Sequence, residues 1–165
     1  MSNQSFPVNT KKQEPMKHWT TLFRLSLVCL LLPLLAGCND EDDISGIFVE
    51  RTWYVTELYN ADGRTSSLDE AQHQQLGNRR DAYRISFTPE TFNAQAGSTT
   101  LTGTWTVDGS NQTIRFHFDR PVTGEDAISR IMIKYLEEAV RYEGSYIYLR
   151  IYTEAGTSIL FSPDK

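Results

Sequence analysis

The chain has 165 residues, with 16 Lys+Arg against 21 Asp+Glu and a formal net charge of -5. That length predicts one domain after any targeting segment is removed. The acidic balance gives no electrostatic footprint for nucleic acid.

At the amino end Lys11, Lys12, Lys17 and Arg24 precede the apolar run Leu25 to Leu35, in which Ser26 is the polar member. A charged n-region followed by a short h-region reads as an export signal, since a spanning helix needs roughly 20 apolar residues. The run closes on Leu35-Ala36-Gly37-Cys38, which resembles the lipobox of bacterial lipoproteins. The resemblance implies that residues 1–37 are removed and that the Cys38 thiol carries diacylglycerol, with a further acyl chain on the new amine. Each buried CH₂ contributes roughly 0.8 kcal/mol, so two or three chains hold a protein firmly on a membrane without a transmembrane helix. Cys29 lies in the h-region and would be discarded, so no thiol is left for a disulfide, a zinc site or a nucleophile.

Asn39-Asp40-Glu41-Asp42-Asp43 follows, a charge run with nothing to pack, and residues 38–46 are expected to form a solvated tether. Asp40, Glu41, Asp42 and Asp43 resemble the acidic export signal of Bacteroidetes-type surface lipoproteins, which implies an outer-membrane lipoprotein at the cell surface, or otherwise one facing the periplasm. The run lacks the spaced oxygen ligands and central glycine of a calcium loop. From Cys38 to Lys165 the charges fall to 12 Lys+Arg and 20 Asp+Glu, because residues 1–37 hold four basic residues and one acid. A net of about -8 argues against an electrostatic partnership with nucleic acid or an anionic membrane surface.

Residues 47–165 are expected to form a single domain. "RTWYVTELY" (51–59) is β-branched and aromatic, with Trp53 and Val55 inward and Asp62-Gly63 as a turn. Glu57 shares their parity, so it is either a carboxylate pointing into a cup or the mark of an edge or a β-bulge. Ser66 to Arg80 is polar and glutamine-rich, a mobile surface segment with one short helix capped by Ser67 and Glu70. Tyr83, Ile85 and Phe87 alternate with polar residues, as do Leu101, Trp105 and Val107, and Ile114, Phe116 and Phe118. The turn cluster Asp108-Gly109-Ser110-Asn111 makes the last two strands a hairpin that sets Trp105 beside Phe116.

Ile128, Ile131, Met132, Tyr135, Leu136 and Ala139 recur at spacings of three and four, which predicts an amphipathic helix from Asp126 to the region of Gly144. A strand through Ile131, Ile133 and Tyr135 is the competing reading. Tyr146 to Tyr152 then alternates as a strand, Ile147, Leu149 and Ile151 on one face and Tyr146, Tyr148, Arg150 and Tyr152 on the other. Ala155-Gly156 turns the chain into a last strand, Ser158 to Ser162.

The fold class expected is mainly β (α+β), an antiparallel sheet or small partly open barrel with one amphipathic helix packed on it. The order of "RTWYVTELYNADG", "LTGTWTVDGSNQTIRF", the helix and "YEGSYIYLRIYTEAGTSILF" is similar to the META domain of bacterial envelope lipoproteins. "AQAGSTTLTG" lacks the Gly-Cys-Asn stretch frequent in that family, and the small lipocalin-like domains of Bacteroidetes-type lipoproteins are the other resemblance. Neither implies a reaction or a cofactor.

The residues themselves point the same way. His73 and His117 stand without a G-x-S-x-G elbow. The adjacent acids Asp69-Glu70 and Glu137-Glu138 diverge by about 100° on a helix. No P-loop, dinucleotide fingerprint or metal spacing is present. The face of Tyr146, Tyr148, Arg150 and Tyr152 is the candidate binding surface, for a sugar face or a protein partner. A self-paired cross-strand ladder is its alternative. Two functions from different classes follow: a non-catalytic, lipid-anchored envelope domain that binds a protein, glycan or envelope component, and a barrel carrying a small apolar ligand.

Overall fold

The computed structural model describes residues 43–49 and 51–164. Eight antiparallel strands close into a barrel in chain order, with the last pairing to the first. They are β1 (Thr52–Tyr59), β2 (Tyr83–Phe87), β3 (Thr91–Ala96), β4 (Thr99–Asp108), β5 (Thr113–Phe118), β6 (Ala139–Gly144), β7 (Leu149–Thr153) and β8 (Ser158–Pro163). The helices are α1 (Ile44–Phe48) before β1, α2 (Glu70–Asn78) between β1 and β2, and α3 (Ala127–Glu137) between β5 and β6. The mainly β class and the small antiparallel barrel expected from the sequence are found; the barrel is closed, with its shortest seam between β5 and β6, where Thr113 pairs with Arg141.

Alternation builds the interior as the sequence predicts. Trp53, Val55, Tyr83, Ile85, Phe87, Leu101, Trp105 and Ile114 are buried, and Trp105 lies directly opposite Phe116 in the β4–β5 register. At Gly103 an added Cβ would run into the carbonyl of His117 and the ring of Phe92. The glycine lets β4 approach β5 there, and the rings of Phe92 and Phe118 meet edge-on at 5.4 Å from the residues paired on either side. Strand β3 goes beyond the sequence reading: Phe92, Ala94 and Ala96 point inward, and two alanines make a weak apolar signal.

Both mouths of the barrel are filled. At one, α1 drives Phe48, with no exposed surface, against Phe87, Trp105 and Tyr142 at centroid distances of 5.0–5.1 Å. The Trp53 indole donates to the carbonyl of Ile47 at 3.2 Å, so the helix is bonded to the wall as well as packed on it. At the other mouth α3 touches β3, β5, β7 and β8 and buries Ile128, Met132, Ile133, Tyr135 and Leu136. Its start is fixed by Asp126, whose carboxylate accepts from Ser129 N–H at 2.7 Å and from the Tyr83 hydroxyl at 3.0 Å. Gln75 of α2 donates to that same hydroxyl at 2.7 Å, which ties both helices to the head of β2.

Three local expectations are corrected. The amphipathic helix stops at Glu137, and residues 139–144 are strand β6. A register shift between Ala139 and Arg141 puts Ala139 and Tyr142 inward three residues apart, and that spacing continues the helical pattern although the backbone is extended. In the polar segment, α2 runs over nine residues and its capping box is Asp69 with Gln72. Ser67 is unavailable for that role, because its hydroxyl donates to Asn60 Oδ1 and bonds the Tyr135 hydroxyl. Finally, α1 begins inside the stretch expected to be tether, with Asp43 as its N-cap accepting from Gly46 N–H at 3.0 Å.

Replacing Gly103 by Ala should force β4 from β5 and lower stability by about 1–3 kcal/mol, as over-packing does. Thr104→Ala, on the exposed side of the same strand, should change it by under about 0.5 kcal/mol. Urea unfolding midpoints of the two variants distinguish the cases. Tyr83→Phe should cost about 1–2 kcal/mol at neutral pH by removing a hydrogen bond to a charged group. Burial would raise the Asp126 carboxyl, but hydrogen bonds from Ser129 and Tyr83 outweigh it and hold the group below the usual carboxylate range. A depressed folded pKa gives stability that is complete above the unfolded value, near 4, and lost as pH falls through the folded one. The difference between wild type and Tyr83→Phe should therefore shrink on acidification below about pH 4; a constant difference would contradict the assignment.

Candidate functional site

The four residues expected on one strand face divide into two groups. Strand β7 begins at Leu149, so Tyr146 and Tyr148 lie in the β6–β7 turn, closed by Ser145 N–H donating to Tyr148 O at 2.9 Å. Only Arg150 and Tyr152 stand on the outer wall of the strand. The parity of Ile147 predicts an inward residue, yet it is 76% exposed at the turn tip, with Tyr146 at 52% and Tyr148 at 41%. The overlooked signal is Gly144-Ser145, a turn dipeptide directly before the aromatic run.

Arg150 and Tyr152 are half-buried and already engaged. The Arg150 guanidinium lies over Tyr59 at 4.4 Å and over Tyr152 at 5.1 Å, and donates to Ser158 Oγ and to the carbonyl of Gly63. The Tyr152 hydroxyl donates to Glu143 Oε2 at 2.6 Å, and Arg141 lies over the Tyr152 ring at 3.9 Å while bonding Glu143 Oε1 at 3.0 Å. The Tyr152 hydroxyl and Arg141 hold the Glu143 carboxyl below the usual range. Burial, and then Glu143, push the Tyr152 phenol up. This wall is a self-paired ladder across β6, β7 and β8 and the end of β1.

The turn is fixed to the start of the described chain. The Tyr146 hydroxyl donates to Asp43 Oδ2 at 2.8 Å, and Arg51 donates to Tyr146 O at 2.9 Å with its guanidinium 5.2 Å from the ring centroid. The Gly46 N–H and the Tyr146 hydroxyl together lower the Asp43 carboxyl, while Asp43 raises the Tyr146 phenol. Asp43 thus has a structural role besides the acidic run. Arg51 was not singled out in the sequence, where nothing links it to a residue 95 positions away.

Glu57 resolves as the bulge reading. The β1–β8 register shifts between Val55 and Glu57, so Thr56 is the extra residue and the buried positions step from Val55 to Leu58. Glu57 consequently points outward under α2. Its Oε1 accepts from Leu58 N–H at 2.9 Å and Ser66 Oγ at 2.8 Å, and its Oε2 lies 3.7 Å from His73 Nδ1. A serine, an acid and a histidine are together, but the serine hydroxyl donates to the carboxylate and not to the imidazole. That is not the order in which a base activates a nucleophile. His117 is exposed on β5.

Surface clefts are open and lined by both polar and apolar side chains. One of about 520 Å³ is lined by Arg115, Glu138, Val140, Glu154 and Ala155. Another of about 320 Å³ lies beside α1, between Ile44, Val49, Pro89, Trp105 and Val107. Among the described residues no three metal-ligating side chains come together, and no helix is long and apolar enough to cross a membrane. Cys38, Asp40, Glu41 and Asp42 lie outside the described residues.

A family model described as a domain of unknown function, DUF4847, matches residues 39–163. A DUF4847 family protein from Bacteroides vulgatus has a similar crystal structure, with TM-score 0.61 and 23% identity, over 74% of this chain and 98% of that one. A lipocalin-like protein from Bacteroides uniformis is similar at TM-score 0.45 and 20% identity, over 71% of this chain and 97% of that one. No curated protein matches the chain. The matching family stands in place of the META family that the order of the sequence's elements resembles. With residues 39–163 covered, the chain belongs to the DUF4847 family, whose fold here is a closed eight-stranded barrel.

Proposed function

We propose that this chain is a lipid-anchored, non-catalytic domain of the bacterial cell envelope that meets a protein, glycan or other envelope component with its outer surface. In this reading residues 1–37 are removed, Cys38 carries the acyl chains, and Asp40 to Asp43 direct the protein to the outer face of the outer membrane.

The observation that carries it is the packing of the barrel axis. An eight-stranded barrel is just wide enough to be filled by side chains or to hold one small ligand. Here Phe48, Trp53, Tyr83, Tyr142 and Phe161 occupy the interior with 0–1% exposure, and helices lie across both mouths. A carrier needs an apolar cavity of at least about 300 Å³, and the interior is given instead to side chains in mutual contact. The donor order at Ser66, Glu57 and His73 supports a non-catalytic reading.

Cys38→Ser should leave the precursor uncleaved and abolish incorporation of labelled palmitate; normal labelling of that variant would refute the anchor. Native mass spectrometry of the mature protein mixed with a long-chain fatty acid should show no saturable adduct. A saturable one-to-one adduct would favour the carrier instead.

A further inference from the structure

The fold leaves Ile147 unexplained. Turn tips are ordinarily built from Gly, Asn, Asp and Ser, and Asp108 to Asn111, at the same end of this barrel, follows that rule with Asp108 bonding Ser110 and Asn111. The β6–β7 turn departs from it with Tyr146, Ile147 and Tyr148, the exposed large hydrophobic residues of the described chain. Ile147 makes one hydrogen bond, from its N–H to Ser145 Oγ. An isoleucine flanked by two tyrosines is the chemistry of the membrane–water interface, apolar at the centre with polar tips able to stay hydrated.

What is placed beside it selects the occupant. The Tyr146 hydroxyl is bonded to Asp43, and five Cα–Cα steps, at most about 18 Å when extended, separate Asp43 from Cys38. A thiol bearing acyl chains would therefore keep Asp43 within that reach of the lipid anchor, with the turn bonded to its carboxylate. Ile44 of α1 and Val107 beside that helix, both half-buried, add apolar surface at the same end. Resting on the lipid-anchor reading, we infer that the Tyr146–Tyr148 turn embeds in the lipid interface next to the acylated Cys38, so that the barrel stands with its α1 end on the membrane. The contact is interfacial and not electrostatic, since Asp43, Glu90 and Asp108 share that end with Arg51, which is already engaged by Tyr146; a zwitterionic bilayer is the fitting surface.

The test uses the mature acylated protein reconstituted into phosphatidylcholine vesicles. Ile147→Trp puts an indole at the tip, and the unsubstituted protein supplies the background from buried Trp53 and Trp105. The added emission should shift to the blue on reconstitution and be largely lost when the vesicles carry brominated acyl chains. Ile147→Cys bearing a nitroxide should show the matching change, greater access to oxygen than to a water-soluble nickel complex. If the protein floats with the vesicles and carries acyl label but the indole keeps its water-exposed, unquenched emission, the inference fails and the anchor stands. A blue shift without brominated-lipid quenching means that protein covers the turn, which also overturns it. Absence of both label and flotation removes the anchor, and this inference with it.

Discussion

Phe48 carries more of this architecture than its position in a five-residue helix suggests. A closed sheet of eight strands pairs its last strand to its first, but it creates an axis that must be filled, and the strands alone leave both ends open to water. Phe48 enters from α1 and stacks against rings from β2, β4 and β6, so that three otherwise distant strands share one apolar contact. An isolated helix of five residues has no stability of its own. It exists because the barrel mouth accepts its phenylalanine, the Trp53 indole binds its Ile47 carbonyl, and Asp43 caps it.

The opposite mouth is closed on the same logic with a different inventory. Helix α3 has its own amphipathic face and buries five large side chains, but its entry point depends on a polar junction. Tyr83, Asp126 and Gln75 meet where β2 begins, and the carboxylate that caps α3 also receives a hydroxyl from the barrel wall. A half-buried carboxylate is costly unless its lone pairs are occupied, and two donors within 3.0 Å meet that requirement. The two ends thus differ in kind: one is closed by an aromatic plug, the other by a helix anchored through a hydrogen-bond network. That difference makes the molecule polar along its axis.

Strand alternation, the hairpin at Asp108 to Asn111 and the facing of Trp105 on Phe116 were legible in the sequence, because period-two patterning and turn chemistry are local. The failures cluster at bulges. Between Val55 and Glu57, and again between Ala139 and Arg141, one extra residue shifts the register. Inward positions then stand three apart, which made Glu57 look misplaced and carried the helix of α3 on into β6. A bulge answers to the partner strand, and the partner of β1 is β8, about a hundred residues later. The ladder of Arg141, Glu143, Arg150 and Tyr152 was hidden for a similar reason. Its members were visible as an aromatic and basic face, but their mutual satisfaction depends on three strands and Tyr59 coming together.

Where a sequence breaks a local rule, packing supplies the reason or function does. Glu57 broke alternation, and the bulge together with Ser66 and the Leu58 amide accounts for it. Gly103 interrupts a strand, and the close approach of β5 accounts for that. Ile147 breaks the rule for turn tips, and no strand, helix or ring in the described chain covers it. Its neighbour Tyr146 is held by Asp43 and Arg51, so the exposed side chain is not the loose end of a wandering loop. It is presented from a fixed base, at the end of the barrel where α1 lies and the described chain begins at Asp43. A rigid mount beneath an apolar tip costs interactions that a glycine or asparagine turn would not require. A side chain presented in this way is matched by nothing within the described chain, so what accounts for the tip is an occupant outside the domain.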